Sequence, residues 1–210
     1  MPNSTPLVTH TFVGLVVAAG IAIAGSSDHA PLPSGQPDAA EMDTQAMLQD
    51  WVKRNQPGEK HKWFERFVGE WETTTRMTMP GMEDMPASKG KAVYTLMLDG
   101  RFLALESEGE FMGMSVKGYG LTGYDNFRNM YNMFWIDSTS TRWYTSRGRV
   151  TRDGSTLETY GSMHEPSMNE IGKPVQYVVR IIDDDTHVFE AWEVGGVEFK
   201  VFEITYERSQ

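Results

Sequence analysis

From Val68 onward, apolar and polar residues alternate with a period of two along most of the chain. Side chains at positions i and i+2 of a strand point to the same face, so this alternation is typical of strands with one buried face. The Asp-Gly pairs at 99–100 and 153–154 are typical of tight hairpin turns between such strands. The predicted strands are Glu70–Met79, Lys91–Asp99, Arg101–Phe111, Ser115–Tyr124, Met130–Ser138, Arg142–Val150, Thr156–His164, Pro174–Asp183, His187–Val194 and Val197–Arg208.

The order of these segments predicts an all-β fold. No helical pattern interrupts them, which argues against the βαβ units of a parallel sheet. Turn signals roughly every 8–12 residues favour a barrel or a sandwich, and a meander of many strands tends to close on itself. We therefore expect an antiparallel up-and-down β-barrel of about ten strands over residues 68–210, preceded by short helices.

The N-terminal residues have the pattern of an export signal. The thirteen residues from Phe12 to Ala24 carry no charge, and this is shorter than the ~20 apolar residues of a membrane span. Ala22-Ile23-Ala24 fits an A-x-A cleavage site. We expect a signal peptide over residues 1–24, cleavage near Ala24, export to the periplasm or outside the cell, and no membrane span in the mature form. An uncleaved anchor and a misassigned start stay open, because no Lys or Arg precedes the apolar run.

A linker and a helical segment are predicted before the barrel. Residues 25–38 are rich in Pro, Ser and Gly, which is typical of a flexible linker. Residues 39–67 have apolar positions at helical intervals, with a break at Pro57-Gly58. The aromatic residues of this segment include Trp51, Trp63, Phe64 and Phe67. We expect them to cover an open end or edge of the sheet, and the alternative is a helix that binds a partner.

Composition excludes several classes of function. The net charge of −10 and the pI near 5.0 argue against nucleic acid or an anionic membrane as a partner, because both need a basic face. The chain has no cysteine, so disulfides, thiolate metal sites and cysteine nucleophiles are excluded. The hydrophobic content of 40% is enough for a packed core.

Several motifs carry a resemblance to known families. Phe67-Val68-Gly69-Glu70-Trp71 resembles the Gly-x-Trp opening of the calycin barrels, which include the lipocalins and fatty-acid-binding proteins. The chain from about residue 58 to 209 resembles the bacterial family called domain of unknown function 1579. The motifs that carry this second resemblance are Leu98–Leu103, Gly123–Asn126, Trp135–Ser138, Asp183–His187 and Ile204–Arg208. The resemblance implies a lipocalin-like barrel, often exported, with no established reaction.

The calycin resemblance also implies how the barrel closes. In calycins the Trp of this motif stacks on a basic residue of the last strand, and Arg208 stands at the matching position here. The resemblance therefore implies contact between Trp71 and Arg208 at one barrel end. Gly69 would allow the sharp bend from the helix into the wall.

Candidate ligand-binding residues come from the expected inner face of the wall. Alternation puts Tyr131, Met133 and Trp135 on one face of a strand, with Asp137 as a polar group at its end. The opposite face of that strand is also mostly apolar, which predicts a second layer outside the wall, formed by the N-terminal helices with Trp51, Trp63 and Phe64. The candidates are Glu106, Tyr131, Met133, Trp135, Asp137 and Trp192. For Asp137, a role as a surface turn residue stays open.

The sequence favours binding over catalysis. It has no G-x-S-x-G elbow and no Walker A loop, and its five histidines lack metal-ligand spacing. We expect a small hydrophobic or amphipathic ligand and no cofactor. An enzyme with interior carboxylates and a module with a filled barrel stay open, as does the oligomeric state. Thioethers between Met77 and Met85 could bind Cu(I), but we favour packing as their role and expect no metal.

Overall fold

Two helices precede the wall of the protein. The computed structural model describes residues 44–78, 81, 85–111, 113–165 and 169–210. The predicted signal peptide, the predicted linker and residues 39–43 of the helical segment lie outside the described residues. Helix α1 covers Thr44–Arg54, helix α2 covers Glu59–Lys62, and a 3₁₀ turn follows at Trp63–Arg66. Neither described helix combines the length and apolar character that crossing a membrane would require.

Ten strands form one closed antiparallel barrel. Each strand pairs with its neighbours in the sequence, and β1 pairs with β10 to close the wall. The strands are β1 (Gly69–Met77), β2 (Ser88–Met97), β3 (Phe102–Phe111), β4 (Met114–Asp125), β5 (Met130–Asp137), β6 (Trp143–Val150), β7 (Thr156–Glu165), β8 (Glu170–Ile181), β9 (Thr186–Glu193) and β10 (Phe199–Arg208). The predicted all-β up-and-down barrel of ten strands is confirmed.

Turn residues with left-handed backbone conformations connect the strands. In the turn from β2 to β3, Asp99 and Gly100 have φ angles of 56° and 80°. In the turn from β6 to β7, Gly154 has a φ of 77°. Glycine adopts these angles without the steric cost that a Cβ atom causes, which explains why Asp-Gly pairs mark both turns.

Helix α2 and the 3₁₀ turn close one end of the barrel. Trp63, Phe64 and Phe67 are buried against Tyr131 of β5, among other inward residues of the wall. The hydroxyl of Tyr131 donates a hydrogen bond to the carbonyl of Lys60 at 2.8 Å. This segment therefore acts as a plug, and we use that name for residues 59–67.

The prediction that the N-terminal helices form a second layer outside the wall is wrong. Trp63 and Phe64 pack into the end of the barrel, and Trp51 of α1 is 63% exposed. On the outer face of the wall, Trp143 of β6 is 74% exposed and Ile136 of β5 is also exposed. The aromatic residues of the plug are buried at the barrel end, so they do not cover the outer face of the wall. The apolar outer positions of β5 therefore stay partly exposed to solvent.

Trp71 and Arg208 meet at the plugged end. The guanidinium carbon of Arg208 lies 4.2 Å from the centroid of the Trp71 ring, a contact worth roughly 0.5–2 kcal/mol. Arg208 also donates to the carbonyls of Val68 and Arg66, each at 2.9 Å. Gly69 has a φ of +125°, and a Cβ there would lie 3.1 Å from the guanidinium. This cluster ties the last strand to the plug and the first strand.

Candidate functional site

A partly open cavity lies inside the barrel between the plug and the opposite end. Its volume is about 290 Å³, close to the lower end of the range of about 300–1,000 Å³ for small-molecule sites. Most of its walls are aromatic and aliphatic side chains of the inner face. The aromatic lining residues are Trp63, Phe67, Tyr94, Phe134, Trp135, Tyr144, Tyr177, Phe189, Phe202 and Tyr206. The aliphatic and thioether lining residues are Leu103, Leu105, Met133, Leu157, Met163, Val175, Val179, Ala191 and Ile204.

His187 of β9 lies near the plugged end of this cavity. Its side chain is 2% exposed, its ring stacks on Tyr206 with centroids 4.3 Å apart, and it meets Trp71 edge-on at 4.4 Å. Burial, together with the nearby positive charge of Arg208, lowers the pKa of His187 to about 3. The imidazole is therefore neutral at physiological pH.

One nitrogen of His187 has a polar partner and the other has none among the described residues. Nε2 lies 3.3 Å from the hydroxyl oxygen of Tyr94, whereas Nδ1 is buried without a hydrogen bond there. A buried polar atom in that state costs about 1–3 kcal/mol. Burial also raises the pKa of Tyr206 to about 12, so its hydroxyl stays neutral. His187, Tyr94 and Tyr206 form the floor of the cavity at its plugged end, and this floor thus carries polar atoms without formal charge.

Asp137 is a charged group that lines the cavity at the end away from the plug. Its Oδ2 accepts a hydrogen bond from the indole nitrogen of Trp135 at 2.9 Å. Its Oδ1 accepts from the backbone nitrogen of Thr139 at 2.9 Å, and the hydroxyl of Thr139 donates to the same oxygen. These bonds hold the carboxylate against the aromatic lining.

Two glycines of β4 make room for Trp135. A Cβ at Gly118 would lie 2.1 Å from the Trp135 ring, and one at Gly120 would lie 3.2 Å from it. The indole therefore lies over a part of β4 that has no side chains. On the outer face, a Cβ at Gly123 would lie 2.7 Å from the ring of Phe102. These glycines are sites of ring packing.

Four of the six candidate binding residues lie inside the barrel. Met133, Trp135 and Asp137 line the cavity. Tyr131, on the same face of β5, is buried against the plug below it. The structure thus brings together the inner face of β5 that the alternation indicated.

Glu106 and Trp192 lie on the outer face of the wall, and their assignment to the interior is wrong. In β3, Leu103 and Leu105 line the cavity, so alternation points Glu106 outward, where it is exposed. In β9, Phe189 and Ala191 line the cavity, so Trp192 points outward by the same rule. Its indole nitrogen donates to Oε2 of Glu190 at 3.3 Å, and Nζ of Lys200 lies 5.6 Å from its ring centroid.

His187 is the site residue that the sequence reasoning missed. It begins the predicted strand His187–Val194, but no motif or metal-ligand spacing singled it out. A usable signal was present, because His187, Phe189 and Ala191 occupy alternate positions and therefore share one face of the strand. Its pairing with Tyr206 on β10 places it beside Trp71 and the end of the barrel.

The described residues contain no group of three His, Asp or Glu side chains that could hold a metal ion. Met79 and Met82 of the methionine-rich segment lie outside the described residues. Our interpretation of that segment as packing, with no copper, therefore stays a prediction.

A second and larger depression lies between α1 and the outer face of β4 to β7. Its volume is about 1460 Å³, and its lining includes exposed residues such as Trp51, Arg54, Arg147 and Tyr160. Because these side chains are exposed to solvent, a ligand in the depression would bury less of its apolar surface than a ligand in the interior. The interior is the stronger candidate site.

Comparisons with known proteins identify a family and a similar fold. The model of the family described as protein of unknown function (DUF1579) matches residues 56–208. The crystal structure of Rv2717c from M. tuberculosis has 12% sequence identity and a TM-score of 0.51, and the match covers 74% of this chain and 100% of that chain. A redesigned β-barrel has 14% identity and a TM-score of 0.38, with 70% and 95% covered. No curated protein matches. The likeness to Rv2717c supports the fold alone.

Proposed function

This chain belongs to the protein family of unknown function DUF1579, and we propose that it is a lipocalin-like barrel that binds a small apolar or amphipathic molecule in its interior. The observation that supports the proposal is the interior cavity of about 290 Å³ with its mostly aromatic and aliphatic lining. Apolar cavities with a few convergent polar groups are the usual form of small-molecule sites in proteins.

The two ends of the barrel support a direction of entry. The plug fills one end with Trp63, Phe64 and Phe67. Asp137 lies at the other end and is partly exposed. A ligand that enters there can bury an apolar body against the floor and keep a polar group near water, which is the arrangement that an amphipathic molecule favours.

The alternative functions have less support. A barrel filled by its own side chains, as some small barrels are, would leave no cavity of this size. An enzyme with paired interior carboxylates would need two such groups facing one cleft. Among the described lining residues Asp137 is the single carboxylate, because Glu106 lies outside.

Binding of an uncharged fluorescent probe, N-phenyl-1-naphthylamine, tests the proposal. We expect a saturable rise in fluorescence with the wild-type protein and a clear loss of affinity in Trp135→Ala, because Trp135 lines the cavity. Ile136→Ala is the matched control, since Ile136 lies on the exposed outer face of β5 and does not line the cavity. Absence of saturable binding, or a larger effect from Ile136→Ala, would contradict the proposal.

We also propose that the protein is exported and cleaved near Ala24. The uncharged run from Phe12 to Ala24 and its A-x-A ending support this. N-terminal sequencing of protein recovered from outside the cytoplasm should find a first residue at or near Gly25. Protein that remains in the cytoplasm, or exported protein that still begins at Met1, would contradict it.

A further inference from the structure

We propose that Asp137 is the head-group site of the cavity and that the ligand is an amphipathic amine whose ammonium group this carboxylate binds. The inference rests on the proposed ligand binding and adds the charge and the orientation of the ligand. The ammonium group would lie at the open end and the apolar body would extend toward the plug.

The carboxylate of Asp137 has capacity for another donor. An ionised carboxylate has about four lone-pair sites for hydrogen bonds. Oδ1 takes both bonds from Thr139, whereas Oδ2 takes one bond, from Trp135. One site on Oδ2 therefore stays available among the described contacts, on a carboxylate whose orientation is already set by its neighbours.

The charges around the cavity favour a cation over an anion. Among the described lining residues there is no Lys or Arg, and Asp137 carries the negative charge. Arg208, near the floor, is already bound to the backbone of the plug and to the Trp71 ring. An anionic head would therefore meet either the carboxylate of Asp137 or the uncharged floor around His187, and both cost free energy.

The aromatic rings beside Asp137 add to the attraction of a cation. Trp135 is in hydrogen-bond contact with the carboxylate, and Tyr144 is its cross-strand neighbour. The guanidinium of Arg142 lies 5.9 Å from the centroid of the Tyr144 ring. Arg142 does not line the cavity, and it donates to the carbonyl of His164 at 3.2 Å. Carboxylate and aromatic faces together are the usual recognition elements for ammonium groups.

Calorimetry with three ligands of equal chain length tests the inference: octylamine, 1-octanol and octanoate, titrated into the full chain at neutral pH. We expect octylamine to bind about tenfold more tightly than 1-octanol, the size of one charge-assisted hydrogen bond, and octanoate to bind most weakly. In Asp137→Asn the advantage of octylamine over 1-octanol should disappear, because the amide carries no charge. Asn retains an oxygen that can accept from Trp135, so the orientation of the side chain is kept.

Glu106→Gln is the matched control. It removes one negative charge from the exposed outer face, and so the preference for octylamine should not change. A second measurement needs no variant: added sodium chloride should weaken octylamine binding and leave 1-octanol binding unchanged, because salt screens the ion pair.

The outcomes separate this inference from the proposed function. Equal affinity for octylamine and 1-octanol, or a preference that survives Asp137→Asn, would overturn the inference and leave ligand binding intact. Tightest binding of octanoate, lost in Arg142→Gln, would overturn it in favour of an anion site. If neither the three ligands nor the fluorescent probe binds, both the inference and the proposed function are wrong.

Discussion

Trp135 and Asp137 owe their positions to residues on the neighbouring strand that have no side chains. Gly118 and Gly120 of β4 leave the space that the Trp135 indole occupies, and the indole nitrogen then donates to Asp137. At the plugged end, Gly69 has a similar role, since a Cβ there would lie close to the guanidinium of Arg208. At both ends, single glycines decide where a large side chain can lie.

Gly118→Ala should destabilise the barrel by about 1–3 kcal/mol, because the new Cβ would overlap the Trp135 ring at 2.1 Å. Urea unfolding monitored by tryptophan fluorescence measures the change. Gly196→Ala is the control, because a Cβ at Gly196 meets nothing within 4 Å, and its effect should stay within about 0.5 kcal/mol. Equal stability of the two variants would show that the indole does not need this space.

His187 should make stability fall as the pH is lowered from 6.5, its ordinary pKa, toward its folded value of about 3. Above the ordinary value the side chain is neutral in both states and has no effect. Below it the imidazole of the unfolded chain takes up a proton, whereas the buried imidazole does not. Protonation therefore lowers the free energy of the unfolded state alone, and the free energy of unfolding falls. From pH 6.5 to 5 the wild type should lose about 2 kcal/mol more than His187→Phe. Urea titrations at both pH values test this, and parallel losses would contradict it.

The two N-terminal helices differ in what their side chains contact. The described side chains of α1 are exposed, including Trp51. Helix α2 and the 3₁₀ turn bury Trp63 and Phe64 in the barrel end, and the indole nitrogen of Trp63 donates to the carbonyl of Gly154 at 3.0 Å. Closure of the barrel end therefore depends on residues 59–67 and not on α1.

Truncation of the two tryptophans measures this difference. Trp63→Ala should cost about 3–5 kcal/mol, because it removes a buried ring and leaves a void in the plug. Trp51→Ala should stay within about 0.5 kcal/mol, as exposed substitutions do. Chemical denaturation of both variants gives the two values. A large cost for Trp51→Ala would indicate that α1 packs on the wall.

At the scale of the whole molecule, closure of the wall creates the candidate site. Pairing of β1 with β10 leaves no free strand edge in the barrel and separates an inner face from an outer one. The plug covers one end of the interior, and the cavity lies between it and Asp137. No single strand or helix contains this site, because its lining comes from the nine strands β2 to β10 and from the plug.

Local patterns in the sequence determined the strands, their turns and the relation between residues on one strand. Alternation on β5 grouped Tyr131, Met133 and Trp135, and the Asp-Gly pairs located two hairpins. A period of two says which residues share a face, but not whether that face is inside, and so Glu106 and Trp192 were assigned to the wrong side. Only the packing of each strand against its neighbours decided this.

The same limit applies to His187 and to the plug. The burial of His187 depends on Tyr206 of the next strand and on Trp71 and Tyr94, which lie on two strands far away in the sequence. The location of the plug depends on the opening that the closed wall leaves at one end. Periodicity is a property of neighbouring residues, whereas inside and outside exist only once the barrel has closed, and tertiary structure alone decides them.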